Sequence, residues 1–155
     1  MLNTAEMTEK YESYRRIGWL FALIITAAII FALIPWYSHH LQIKSLKQAE
    51  NGEQVRSLHI AEDAIRVNPT SIQAKFVLAG AQQRLGRETE ARKTLVGAVA
   101  LQPLNYETWL QLALFERDKL GETTLANMHF ATAMTLSPYD DHLQVDAGVK
   151  QAEDI

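Results

Sequence analysis

The sequence predicts an all-α chain: a single N-terminal transmembrane helix, then a short helical solenoid, then a C-terminal capping helix. Three observations predict it. Residues 17–37, IGWLFALIITAAIIFALIPWY, carry no charged side chain. Downstream, apolar residues recur at helical spacing in stretches separated by single glycines and prolines. Pro69, Pro103 and Pro138 stand 34 and 35 residues apart, a period suited to stacked helix–turn–helix units.

Residues 1–16 form a polar N-terminal segment, and residues 17–38 the span. At ~1.5 Å of rise per residue the apolar run makes a helix of roughly 30 Å, the thickness of bilayer hydrocarbon. Trp19 at one end and Trp36 and Tyr37 at the other place amphipathic rings at headgroup level. The run exceeds the roughly 7–15 apolar residues of a signal peptide, and Pro-Trp-Tyr-Ser-His-His follows it instead of a small-residue cleavage site. The half-polar remainder is too short to wrap it as a core helix. Ala22, Thr26, Ala27, Ala28 and Ala32 are small enough to let another helix approach. Arg15 and Arg16 abut the run, whereas His39 and His40 begin the other flank. The positive-inside tendency then puts the N-terminus in the cytoplasm and the rest on the outer, periplasmic side of a bacterial inner membrane.

Residues 39–138 divide into three units: 39–69, 70–103 and 104–138. In the middle unit Ile72, Phe76 and Ala79 share a helical face, Gly86 ends the helix, and a second helix runs from about Glu88 to Leu101. The third unit repeats the plan. Asn105 caps a helix carrying Trp109, Leu112, Ala113 and Phe115; Gly121 ends it; Leu125, Ala126, Phe130 and Ala133 form the next stripe. The first unit is degenerate: HLQIKSLKQAE has Lys44 where its counterparts have leucine, and Ser57 replaces an alanine, departures that predict poorer packing. Its first helix should continue from the span, straight or bent at Pro35, leaving little linker and holding the units near the bilayer. Beyond Pro138, Asp140 or Asp141 caps a last helix, DHLQVDAGVKQAED, with Leu143, Val145 and Val149 apolar; residues 139–155 are the cap and tail.

These units resemble the tetratricopeptide repeat. Leu78, Ala79, Gly86, Ala91, Leu95, Ala98 and Pro103 sit where that motif expects them, as do Trp109, Leu112, Ala113, Gly121, Ala126, Phe130, Ala133 and Pro138, with one extra residue near the inter-helix turn. Gly52, Ala61, Ala64 and Pro69 match more weakly. The small residues have a mechanical purpose: helix axes approach to about 8 Å only where alanine or glycine faces its neighbour. The resemblance implies a concave surface lined by the first helix of each unit. Carried over position by position, that surface comprises Gln73, Phe76, Gly80, Gln83 and Arg84, then Glu107, Leu110, Leu114, Arg117 and Asp118. Chaperone-binding members hold a terminal carboxylate with cations there. Here only Arg84 and Arg117, near helix ends, are cationic, so an apolar or mixed helix-in-groove contact is expected instead.

The remaining composition narrows the function. A net charge of −3 without a basic block argues against nucleic-acid binding. Cysteine is absent, which removes disulfides and thiolate chemistry. His39 and His40 are adjacent and point about 100° apart on a helix, a poor metal pair. His59 with Glu62 and Asp63 has helical metal-site spacing but reads as a solvated face. Glycines stand singly at helix ends, so no phosphate loop is present. No catalytic residue, cofactor or metal is expected. The sequence reads as a membrane-anchored protein-interaction module: scaffold, assembly factor or accessory subunit of a larger membrane complex, meeting partners through the groove and the span. A second reading comes from residues 107–140, which look like the tetratricopeptide tail of bacterial O-antigen ligase and polymerase proteins and imply cell-envelope glycan assembly.

Overall fold

The computed structural model describes residues 4–148, and every regular element among them is helical. The chain divides between Tyr37 and Ser38 into two compact units.

The first unit is the greater part of α1 (Thr4–Glu50), a helix that contains Pro35 and continues past it. From Gly18 to Leu33 every residue is exposed, including Phe31 at 77% and Trp19 at 68%. By length and composition this is the one helix among the described residues able to cross a membrane. The Thr26 hydroxyl donates to the Ala22 carbonyl at 2.8 Å, so this polar group within the apolar run is satisfied by its own helix.

The second unit begins with the end of α1 and continues through α2 (Gln54–Val67), α3 (Ile72–Arg84), α4 (Glu88–Leu101), α5 (Tyr106–Phe115), a π-helical turn (Glu116–Leu120), α6 (Thr123–Leu136) and the short α7 (Asp141–Asp146). From α2 to α7 each helix packs against the next. The alanines expected to mediate this packing do so: Ala61, Ala64, Ala91, Ala98, Ala113, Ala126 and Ala133 are all fully buried. Larger side chains fill the space beside them. Leu95, Val99, Leu112 and Phe115 form the central cluster with Ala79 and Ala91, while Phe130 joins Ala113 and Ala126 farther along.

The first seam departs from expectation. Ser57 is fully buried against Ser45; the Ser45 hydroxyl donates to the Ser57 carbonyl at 2.8 Å, and the two hydroxyls lie 3.0 Å apart. One turn toward the N-terminus, the Gln42 amide donates to Ser38, whose hydroxyl donates to the Ala64 carbonyl at 3.1 Å. Lys44 is exposed, and Leu41 supplies the apolar contact with Ile60 and Ala64. A hydrogen-bonded polar stripe therefore closes this seam where the better units use leucine and alanine.

Helix ends follow the sequence signals. The Ser71 and Asn105 side chains accept from the Ala74 and Glu107 amides, capping α3 and α5. Gly86 and Gly121 adopt left-handed φ values of 71° and 68°. The extra residue of the third unit is absorbed in the π turn, which closes with the Glu122 amide on the Glu116 carbonyl at 2.9 Å. The last helix is shorter than the expected stretch. Asp140 caps it by accepting from the Leu143 amide, Leu143 is buried, and Gly148 follows at φ 75°. Val149 and the rest of the stretch lie outside the described residues, as does the Val145 side chain.

Candidate partner-binding groove

Helices α3 and α5, the first helices of two successive units, flank a concavity of about 190 Å³. Its floor is apolar and fixed by the core: Ala79, Leu95 and Phe115 are buried, with Phe76 and Leu114 half-exposed on the walls. Its rim is polar, comprising Gln83, Gln111, Asp118 and Lys119. Gly80 lies between them; a Cβ there would meet only the Arg84 guanidinium, at 3.8 Å. Such a surface suits a side chain or helix face that is apolar at its centre and polar at its edges.

Of the residues expected to form the groove, Phe76, Gly80, Gln83 and Leu114 line this one concavity, together with Asp118. Gln73 and Glu107 occupy equivalent positions of successive units, and the Gln73 amide donates to Glu107 at 3.2 Å, tying the two helices at their N-terminal ends. Arg84 is exposed above Gly80. Leu110 is turned elsewhere, onto the cluster of Ala113, Ala126 and Phe130 that Ala147 also joins. Arg117 is engaged within the chain. It donates to Asp118 at 2.7 Å and to the Asp146 carbonyl, and its guanidinium lies 5.1 Å from the centre of the Phe130 ring. The Arg117 hydrogen bond holds the Asp118 carboxyl below the usual carboxylate range, and Asp118 in turn raises Arg117. Trp19, Ala22, Thr26, Ala28, Ala32, Trp36 and Tyr37 are all exposed on α1.

Sequence reasoning passed over one constellation beside the groove. The Glu116 side chain is fully buried in the π turn. Arg92 of α4 donates to its Oε1 from Nε at 3.0 Å and from Nη2 at 2.8 Å, and His129 Nδ1 of α6 lies 2.6 Å from its Oε2. The His129 ring faces Trp109 at 5.5 Å between centroids. Three helices from two units thus converge on one carboxylate. The available signal was a glutamate directly after the buried Phe115, at the turn that carries the extra residue.

No protein-family model matches the chain, and no curated protein matches it in sequence. Solved structures match it in fold. The first tetratricopeptide domain of Spaghetti (RPAP3), solved with an HSP90 peptide, aligns at TM-score 0.59 and 17% identity over 76% of this chain and 94% of that one. The tetratricopeptide domain of Sgt2 from Aspergillus fumigatus aligns at 0.61 and 14% identity, over 76% and 78% of the two chains. A thermophilic tetratricopeptide protein of Thermus thermophilus aligns at 0.58 and 26% identity, over 65% of this chain and 51% of its own length. The helical unit that follows the long apolar helix has the fold of a tetratricopeptide-repeat solenoid.

Proposed function

We propose that the chain is a membrane-anchored adaptor whose solenoid binds a segment of a partner protein in the α3–α5 concavity. The observation that carries this is the apolar floor and polar rim on the first helices of successive units. The folds it resembles support the reading: the Spaghetti domain was solved with a peptide, and the type III secretion translocator chaperone SycD of Yersinia enterocolitica aligns at TM-score 0.61 and 14% identity over 76% of this chain. Arg117 is engaged internally, and the cations Arg84 and Lys119 stand at the rim with an apolar floor between them, so an amphipathic partner helix fits the groove better than a terminal carboxylate. The exposed apolar run of α1 is read as a single membrane span, with the N-terminus cytoplasmic and the solenoid on the periplasmic side of a bacterial inner membrane. The biological role that follows is scaffold, assembly factor or accessory subunit of a membrane complex. Envelope glycan assembly rests on the sequence resemblance of residues 107–140 alone and gains nothing from the groove.

A photo-crosslinking residue at Gln111, in native membranes, tests the proposal against the same residue at Lys93, exposed on α4. A discrete protein adduct is expected from position 111, absent from 93, and lost when Leu114→Asp places a charge on the groove wall. Equal adducts from both positions, or an adduct indifferent to Leu114→Asp, would refute groove binding.

A further inference from the structure

The two most exposed large apolar side chains among the described residues are not in the apolar run. They are Tyr139 at 94% and Leu104 at 83%, and they occupy equivalent places, each directly after the proline that closes a unit. Isolated exposed apolar residues are ordinary on a soluble surface. These two share one end of the solenoid.

Three interactions establish which end it is. Ser38, the residue at which the chain enters the repeat unit, donates to the Ala64 carbonyl near the C-terminus of α2. Gln73 at the start of α3 donates to Glu107 at the start of α5. Tyr106, also at the start of α5, shares a hydrogen bond with Asp140, which raises the tyrosine above its ordinary value. The turns at residues 68–71, 102–105 and 137–140 therefore lie together at the entry end, and those at 51–53, 85–87 and 121–122 lie at the other.

The two ends differ in charge. No Lys, Arg, Asp or Glu occurs in 67–71, 101–106 or 134–139. Beside these stretches stand Arg66, which donates to Asp63 on its own helix, Glu107 and Asp140, which accept from internal donors, and Asp141. At the opposite end every turn is charged: Glu50 and Glu53, Arg87 and Glu88, Lys119 and Glu122. Val55 is exposed there, but Glu53 and Arg56 flank it with an ion pair.

We infer that the entry end of the solenoid is a lipid-contacting surface, with Leu104 and Tyr139 seated in the interfacial layer of the bilayer. This rests on reading the apolar run as a span. The run ends at Tyr37, one residue before the entry point, so the entry end is the one tethered directly to the span. Tyrosine favours that layer, where the ring leaves water and the hydroxyl stays hydrated. Leucine gains by leaving water, and the turns at 68–71 and 102–105 carry no charge to dehydrate in following it, while Asp140 in the third already accepts from the Leu143 amide.

The chain has no cysteine, so single-cysteine variants of the 155-residue chain take one label each. The variants Leu104→Cys, Tyr139→Cys, Arg87→Cys, Glu122→Cys and Ile25→Cys are labelled with an environment-sensitive nitrobenzoxadiazole dye in phosphatidylcholine–phosphatidylglycerol vesicles. Labels at 104 and 139 should shift to the blue and lose emission to lipids carrying a quencher near the headgroup. Labels at 87 and 122 should lose emission to aqueous iodide instead. Quenching at 104 and 139 that matches 87 and 122, while Ile25 is quenched from lipid, overturns the inference and leaves the span intact. A blue shift at 104 and 139 without lipid quenching means that protein covers this end, which also overturns it. Failure of lipid quenching at Ile25 overturns the span and the inference together.

Discussion

Removing Arg92 should destabilise the fold more than removing Glu116, although Arg92 is the surface residue. The Glu116 carboxylate has no solvent exposure, and the Arg92 side chain is 40% exposed. Arg92→Ala strands a buried carboxylate with only His129 beside it, and unpairing a buried charge costs about 3–5 kcal/mol. Glu116→Ala instead frees an arginine that can turn into water and a histidine that is 19% exposed. Their rehydration reduces the cost to about 2–3 kcal/mol, including the hydrogen bonds lost. Replacing Arg92 and Glu116 with leucine removes the buried carboxylate, leaves only the partly exposed His129 without its partner, and should restore much of the loss, since apolar replacements of buried ion pairs are often neutral or stabilising. Urea unfolding of the full chain in mild detergent measures all three variants. Trp109 lies 5.5 Å from His129 and is the local reporter once Trp19 and Trp36 are replaced by phenylalanine. An Arg92→Ala cost equal to or below that of Glu116→Ala would refute the argument, because it would mean that the carboxylate reaches water in the folded state.

Two further outcomes follow from other parts of the solenoid. Ser57→Ala leaves the Ser45 hydroxyl its bond to the Ser57 carbonyl and should cost at most about 1 kcal/mol, whereas Ser57→Leu overfills a fully buried site and should cost about 1–3 kcal/mol or more by the same unfolding measurement. Asp118 is held below its ordinary value by Arg117, so its contribution is present above the unfolded carboxylate range and disappears as pH falls through the lower folded value. Asp118→Asn should therefore flatten the decline of Tm on acidification below the ordinary carboxylate range, by a small amount because the side chain is 48% exposed.

What was legible in the sequence was whatever repeats. The 34-residue period, the buried alanines and the glycines at Gly86 and Gly121 all recur, and recurrence separates a packing constraint from ordinary helix composition. Even the position of the π turn was visible as one extra residue, although not its form. The Glu116 constellation was hidden for the opposite reason. Its partners stand 24 and 13 residues away; the preceding unit has the hydrogen-bonded pair Gln82 and Thr94 in the places of Glu116 and His129, but Leu58 in that of Arg92, so the spacing announces no ionic cluster. The serine seam was misjudged because a hydroxyl at an alanine position looks like a defect until its partner is known. Half of the groove was legible: position within a repeat says which face a residue occupies, as for Phe76 and Leu114. It does not say what a long side chain such as Arg117 will find within reach.

The hydrogen-bonded links between units are all short in sequence. Among the described hydrogen bonds the longest separation is the 34 residues between Gln73 and Glu107, and the Arg117 bond to the terminal segment spans 29. Closing a loop of this size is inexpensive, since each doubling of length adds only about 0.6 kcal/mol. Assembly can therefore proceed vectorially. Each helical pair meets its predecessor soon after it leaves the ribosome, without waiting for a distant strand or domain. The first pair is the exception to free nucleation, because its leading helix is the end of α1. On the proposed reading of the apolar run as a span, folding of the whole array should be timed by the release of that helix from the membrane-insertion machinery, which would make insertion and solenoid assembly successive steps of one kinetic sequence.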